Sequence, residues 1–464
     1  MALSPRSTGR ALARAHHSPI AAKFLHTIAP FFAGREVTGG PLLIATIVAL
    51  VCTNTPFARA FEAFWDTNLT LSFGERSVGH SLAEWIDDAL LPLFFILIGA
   101  DVKRELVGGA LSRWKTAAFP LAGAVGGMIA PIVLFLAIAH GTPEAKGWGT
   151  VVAMDTAFGL ALIAVFADRL PAGVRALMLA FAAVDDVGGL LVIAIAYTEA
   201  IHPTGLVVAA LALAGIIGLR RLGWISPLPY VVLGLAVWVG VFESGVHTTI
   251  AGVLVGLTVP VTPRLDQSVF ARRVQRRIDE FQEAHRTAAE TDDEDTAMEA
   301  QQAAEDRLGY IEEMTSATHV TSGRIIDGLT PWVTYLVLPL FALSNVRLHV
   351  SPELLGTLTS PLVLGIVAGL ALGKPLGFMS FTWAATAIGL ARRPERVTWA
   401  MVAGIGALAG IGFTLSLFIA GLAFGDSEAR EAASLGILIA SIASAAAGYL
   451  ILRRTADREE TSSG

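Results

Sequence analysis

Residues 174–198 read VRALMLAFAAVDDVGGLLVIAIAYT, an apolar stretch whose centre holds the adjacent acids Asp185 and Asp186. At 1.5 Å per residue, a helix of this length can cross a bilayer, which needs about 20 residues. A charge at the bilayer centre costs roughly 2.5–3.5 kcal/mol on insertion scales. The stretch therefore predicts a transmembrane helix, and its two central carboxylates are candidate functional residues.

The composition of the whole chain is that of a protein with many such helices. Of the 464 residues, 54% are apolar and 16% are charged, whereas soluble domains have about 45–50% apolar and about 25% charged residues. These values exclude a cytosolic enzyme and a disordered chain. The net charge of −6 gives no basic footprint for binding nucleic acid. The single cysteine, Cys52, excludes an intrachain disulfide and a thiolate metal cluster.

The pattern predicts an all-α polytopic membrane protein with twelve transmembrane helices. The apolar segments are approximately 39–55, 84–102, 117–139, 147–167, 174–198, 204–219, 226–242, 245–260, 328–346, 359–385, 397–424 and 430–452. Eight helices then lie within residues 39–260 and four within 328–452. The remaining parts are an N-terminal tail (1–38), a charged loop (261–327) and a C-terminal tail (453–464).

The distribution of basic residues predicts the orientation in the membrane. With the N-terminus inside, 27 of the 33 Lys and Arg residues fall on the inner side and 5 on the outer side. The remaining one, Lys374, lies within a predicted span. Because basic residues concentrate on the cytoplasmic side of membrane proteins, we expect both termini to be cytoplasmic.

Two segments outside the membrane have distinct patterns. Residues 67–82 alternate around Gly74-Glu75, which predicts a periplasmic β-hairpin. The loop 261–327 is highly charged, which is typical of a solvated helical or disordered cytoplasmic segment; a regulatory role is the alternative. The pair Asp87-Asp88 falls near an outer helix end, where we expect solvated anchoring residues.

Four ionisable residues lie well inside predicted spans: Asp155, Asp185, Asp186 and Lys374. Each could be a satisfied interhelical contact, but their combined insertion cost, about 10 kcal/mol, favours a functional role. Two neighbouring carboxylates cannot both ionise cheaply, and a hard cation such as Na⁺ can displace protons from them. Lys374 needs a counter-charge, for which one of the paired aspartates is the obvious candidate.

Two of the predicted spans have features of discontinuous helices. Asp155 lies near the middle of the fourth segment, and the eleventh contains the glycine-rich run GIGALAGIGFT (404–414). These are the central members of segments 3–5 and 10–12, which begin on opposite sides of the membrane. This is the arrangement of inverted repeats with unwound helices at an ion site. Facing helix N-termini would attract Asp155, and facing C-termini would attract Lys374.

Seven stretches, in order, resemble the NhaA-type sodium/proton antiporter family. They are FFILIGADVKREL (94–106), DTAF (155–158), VDDVG (184–188), SGVHTTIAGV (244–253), PWVTYLVLPLFA (331–342), GKPLG (373–377) and GIGFTLSLFI (410–419). The resemblance implies the family's fold, in which helices 4 and 11 are broken and cross each other. It identifies Asp186 as the principal ion-binding acid, Asp185 as the partner of Lys374, and Asp155 as the acid at the crossing.

The resemblance also implies an activity. Members export cytoplasmic Na⁺ or Li⁺ in exchange for external H⁺, electrogenically and without a cofactor, by alternating access around the Asp-Asp site. They serve intracellular pH and sodium homeostasis in the bacterial inner membrane. Asp186 and Asp185 would then bind Na⁺. Many members are homodimers joined by a periplasmic hairpin, which residues 67–82 would supply.

The chain departs from the family pattern at three places. Met154 replaces the usual threonine before the crossing acid, and Thr156 follows that acid instead. Asp101 replaces a glutamate. Before Pro331, where the family often carries glutamate and histidine, the chain has other residues (Ile326, Asp327 and Thr330). A family-like pH sensor is therefore not expected there.

Three further residues are secondary candidates, and two other functions remain as alternatives. Thr156 could replace the missing oxygen ligand, Glu105 could belong to a pH switch, and His247 is either a pH sensor or a structural histidine.

An intramembrane aspartyl protease needs its two aspartates on separate helices, whereas Asp185 and Asp186 are adjacent. A sodium-coupled symporter needs a roomier site, with aromatic or arginine side chains to bind an organic solute.

Overall fold

The structure, a computed structural model, describes two long parts of the chain, residues 39–259 and 328–463. Positions 74–75, 167–168, 199–200, 223, 225 and 426 within those parts are excepted, and residues 275–276, 278–282 and 286 are also described. The predicted N-terminal tail and most of the predicted charged loop lie outside the described residues.

The described chain is mostly helical. Its principal helices are α1 (Gly40–Thr53), α2 (Ala58–Trp65), α3 (Leu91–Val107), α4 (Trp114–Ala139), α5 (Thr156–Ala164), α6 (Ala172–Ala196), α7 (Pro203–Arg221), α8 (Leu228–Glu243), α9 (Thr249–Thr258), α10 (Leu338–Asn345), α11 (Pro361–Ala368), α12 (Lys374–Ala387), α13 (Trp399–Ala409), α14 (Phe413–Phe424) and α15 (Glu428–Ser463). Shorter elements are the π-helical turns Ile86–Leu90, Val333–Val337 and Gly369–Gly373, the 3₁₀ segments Ala110–Ser112, Pro143–Val151 and Thr357–Thr359, and the helical turns Leu82–Trp85 and Pro352–Gly356.

The helices have the lengths of a multi-pass membrane protein. Within the described ranges, seven are long and apolar enough to cross a bilayer, or eight if α1 and α2, which meet at 119°, form one span. Two further apolar helices, α8 and α9, are shorter. Helix occupies each of the twelve predicted apolar segments, but the exact number of spans stays a prediction.

Two long spans are interrupted in their middle. The 3₁₀ segment Pro143–Val151 is separated from α5 by a short non-helical stretch, and a similar stretch, 410–412, separates α13 from α14. At these breaks the N–H of Asp155 donates to the carbonyl of Ile411 at 2.6 Å. Irregular backbone at membrane depth must be buried within protein and hydrogen-bonded there. Here a backbone N–H freed at one break bonds to a backbone carbonyl freed at the other.

Helix α12, which begins at Lys374, packs against α4 at very short range. A Cβ added at Gly377 would fall on the backbone carbonyl of Gly126, and one added at Gly126 would fall on the carbonyl of Gly377. Only glycine at both positions permits this approach. The π-helical turn Gly369–Gly373 comes directly before Lys374. Pro375, which follows Lys374, lacks an N–H for regular helical bonding.

The end that we predict to be outer contains the one sheet in the described part of the chain. Strands β1 (Asn68–Phe73) and β2 (Arg76–Ser81) pair antiparallel, with Asn68 opposite Ser81 and Phe73 opposite Arg76. This is the β-hairpin that the alternation predicts, although its turn residues 74–75 lie outside the described residues. The indole of Trp85 donates to the carbonyl of Leu69 at 2.9 Å and connects the hairpin to the helix that follows.

We expect Gly377→Ala to destabilise the protein by about 1–3 kcal/mol, because a methyl group here must push α4 and α12 apart. Thermal melting of the detergent-solubilised protein measures the effect. Gly234→Ala is the matched control, since a Cβ added at Gly234 on α8 meets open space. Equal melting temperatures for the two variants would contradict the tight contact.

Candidate functional site

A buried ion pair joins α6 to α12. The ammonium of Lys374 donates to both carboxylate oxygens of Asp185, at 2.9 and 2.7 Å, and both side chains have 0% exposure. The residue pattern leaves open which paired aspartate meets Lys374, the family resemblance implies Asp185, and the structure confirms Asp185. Within the described part of the chain, the hydrogen bonds of Lys374 all go to this carboxylate, so the expected attraction to helix C-termini is not seen as a hydrogen bond.

Asp186 has a different environment, although it adjoins Asp185 on the same helix. Its carboxylate accepts from the hydroxyl of Thr156, with distances of 3.3 and 3.2 Å to the two oxygens. Its side chain is nearly buried but retains 7% exposure, and it interacts electrostatically with Asp185, Lys374 and Asp155. Since neighbouring helical residues point about 100° apart, one carboxylate is neutralised by lysine, while the hydrogen bonds of the other within the described residues come from a hydroxyl alone.

Asp155 lies where the two interrupted spans meet. It is the N-cap of α5, and its side chain accepts from the N–H of Phe158 at 3.1 Å. It also accepts from Thr414, in the first turn of α14, through the hydroxyl at 2.7 Å and the N–H at 3.2 Å. The carboxylate therefore faces the positive ends of two helices, as the sequence analysis expects.

The sequence does not by itself indicate Thr414 as a partner of Asp155. The signal it offers is a hydroxyl two residues after Gly412, the last glycine of the run, where the second half of the broken helix would begin. Thr156, proposed as the replacement for the oxygen that Met154 lacks, does contact the site, but it contacts Asp186 rather than Asp155.

The other secondary candidates lie in local structural contacts. Glu105 accepts from the N–H of Ala110 at 2.9 Å and so stabilises the turn after α3. A ring nitrogen of His247 lies 2.9 Å from the carbonyl oxygen of Tyr197, and the ring meets Phe418 edge-on. These contacts give both residues structural roles without testing a role in pH sensing.

The outer pair Asp87-Asp88 is not solvated as expected. Asp87 accepts from the side-chain amide of Asn345 at 2.9 Å, and Asp88 accepts from the hydroxyl of Thr248 at 3.2 Å. Both residues are half-buried. The partners come from distant segments, so the sequence alone did not indicate this network.

The arrangement can bind one small cation or protons. No group of three or more His, Cys, Asp or Glu side chains that could hold a metal ion is found in the described ranges. With Asp185 occupied by Lys374, the carboxylate open to an exchangeable ion is that of Asp186. We expect both acids to bind Na⁺; in this conformation, Asp186 is the one of the two whose carboxylate oxygens are free of lysine.

Comparison with known proteins gives consistent results over nearly the whole chain. The sequence profile of the family described as Na⁺/H⁺ antiporter 1 matches residues 29–452. A protein of Sorangium cellulosum, Na⁺/H⁺ antiporter NhaA 2, is 39% identical and covers 98% of this chain and 96% of its own length. Na⁺/H⁺ antiporters NhaA of Rhodopirellula baltica and Oleidesulfovibrio alaskensis are each 37% identical, covering 93% of this chain and 94% of their own.

We expect Lys374→Ala to destabilise the protein by about 3–5 kcal/mol, because it leaves the buried Asp185 carboxylate without its counter-charge. Lys115→Ala, which removes an exposed lysine, is the control. The double variant Lys374→Met with Asp185→Leu removes both charges and should recover much of the loss. Thermal melting in detergent measures all three, and an unchanged melting temperature for Lys374→Ala would contradict the ion pair.

Proposed function

Because the chain belongs to the Na⁺/H⁺ antiporter 1 family, whose members are transporters and not enzymes, we propose that it exports cytoplasmic Na⁺ or Li⁺ in exchange for external H⁺. Asp186 binds the cation or a proton in turn. The observation that carries the proposal is the contrast between two adjacent acids: Asp185 is neutralised by Lys374, while Asp186 meets only the hydroxyl of Thr156.

The coupling follows from competition at one carboxylate. A cation and a proton cannot occupy Asp186 together, so the site carries one ion in each direction when it alternates between the two sides. If the Asp185–Lys374 pair breaks and Lys374 releases its proton in the same cycle, two protons move against one cation. Exchange is then electrogenic, and the proton gradient drives sodium export for intracellular pH and sodium homeostasis.

The meeting of the interrupted spans supports alternating access around this site. We propose that segments 3–5 and 10–12 are inverted repeats and that their central members cross at Asp155. The negative charge of Asp155 compensates the positive N-terminal dipoles of α5 and α14. Asp155 therefore holds the crossing together and does not bind the cation. Twelve transmembrane helices, with both termini cytoplasmic in a bacterial inner membrane, accommodate these repeats and the 27-to-5 distribution of basic residues.

We further propose a homodimer joined through the hairpin 67–82. A two-stranded sheet has unpaired backbone groups along both outer edges. The hairpin in the described part of the chain consists of β1 and β2 alone, so an edge strand is available to pair with the hairpin of a second copy.

We expect Asp186→Asn to abolish exchange, because an amide neither releases a proton nor offers a charged ligand to the cation. The assay is Na⁺-induced dequenching of a proton-gradient dye in proteoliposomes. Asp457→Asn, in which the replaced acid is about half exposed, should exchange normally. Strong Na⁺-dependent exchange by a folded Asp186→Asn variant would place the transport site elsewhere.

We expect acid to raise the apparent KM for Na⁺ without lowering the maximal rate at mildly acidic pH, because protons and Na⁺ compete for Asp186. At high pH the site has no proton to exchange, so the rate falls again and the profile is bell-shaped. Na⁺ titrations at several pH values, equal on both sides of the vesicle, measure this. Failure of saturating Na⁺ to restore the rate at mildly acidic pH would show that a separate pH switch exists.

A further inference from the structure

Two adjacent residues at the start of α15, Arg430 and Glu431, connect this helix to the rest of the outer end. The guanidinium of Arg430 donates to the amide oxygen of Asn345 at 2.8 Å. The amide nitrogen of Asn345 donates to Asp87 at 2.9 Å. One polar residue at the end of α10 therefore links α15 to the turn that precedes α3.

The second connection passes through a histidine. Nδ1 of His349 lies 3.6 Å from Oε1 of Glu431 on α15, and Nε2 lies 2.6 Å from Oε1 of Glu62 on α2. The three side chains are between 28% and 41% exposed. Asn345 and His349 thus lie on one short stretch, residues 345–350, and each contacts α15 on one side and an earlier part of the chain on the other.

This stretch is itself fixed to the end of α1. The amide nitrogen of Asn54 donates to the carbonyl of Leu348 at 2.7 Å, and its amide oxygen accepts from the N–H of Val350, also at 2.7 Å. Leu348 also packs into a small apolar cluster with Leu354 and Leu435, the last on α15. The backbone on both sides of His349 is therefore held, which leaves its ring between two carboxylates.

The ring attracts both carboxylates only when it is charged, and neither contact has hydrogen-bond geometry in this structure. A neutral imidazole has one N–H, whereas the imidazolium has two, and imidazole is the side chain that changes charge between pH 5 and 8. The charged groups in contact with this region are the acids Glu62 and Asp66 at the end of α2, Asp87 before α3 and Glu431 on α15, together with the bases Arg347 and Arg430. Helix α1 has no charged residue. Protonation of the ring therefore strengthens its contacts to Glu62 and Glu431.

We propose that residues 345–350 form an outer clasp, in which Asn345 and His349 hold α15 against α1–α3, and that external acid tightens it through His349. The proposal rests on the proposed alternating-access function. The distribution of basic residues puts Arg347 and Arg430 on the outer side, so the clasp is closed on that side in this structure. When the site faces outward, α15 must separate from His349, and a charged ring opposes this step.

Hydrogen exchange of residues 345–350 and 428–434 tests the clasp without requiring transport. After correction for intrinsic exchange rates, protection in the parent protein should fall about two- to five-fold between pH 6 and pH 8.5, the size expected for partly exposed ion pairs. In His349→Gln it should be low at both pH values. His202→Gln, which replaces another exposed histidine on the proposed outer side, should behave like the parent. Equal protection profiles for His349→Gln and the parent overturn the proposal.

Transport in oriented proteoliposomes tests the consequence. At external pH 6 and fixed internal pH, His349→Gln should exchange about two- to five-fold faster than the parent, and at external pH 8.5 the two rates should be equal. Identical external-pH profiles in two active proteins overturn the acid-tightened clasp. If neither protein exchanges Na⁺ for H⁺, the proposed function fails, and hydrogen exchange still decides whether the clasp exists.

Discussion

The charged pair Asp185–Lys374 is completely buried, and much of the architecture around it serves to make that burial possible. A lysine on a membrane helix without a partner is costly, so α6 and α12 must keep these two residues together. Helix α12 can do so because Gly377 lets it lie directly against Gly126 of α4. The π-helical turn before Lys374 then sets the direction in which the Lys374 side chain projects from α12.

The same constraint explains the two interrupted spans. Breaking a helix at membrane depth frees N–H and C=O groups that lipid cannot satisfy. The breaks meet, so Asp155 and Ile411 share a backbone hydrogen bond, and the carboxylate of Asp155 accepts from both new helix N-termini.

The outer end is organised differently from the centre. Its charged groups are only partly buried and join short segments, such as residues 345–350, α2 and the start of α15, that belong to different parts of the sequence. Contacts of this kind are weaker than the central pair. They are the contacts that we propose to open and close as access alternates.

The sequence by itself determined the class of protein, the helical segments, the hairpin and the four central ionisable residues, because hydropathy, alternation and the cost of charge in lipid are local properties. Hydropathy and spacing could not decide which aspartate meets Lys374, because residues 185 and 186 differ only by a rotation about the helix axis; only the resemblance to the family indicated Asp185. Nor did the sequence identify Thr414 as the partner of Asp155, or predict that Asn345 would bridge Asp87 and Arg430. Those choices depend on how helices far apart in sequence are rotated and packed, which only the tertiary structure decides.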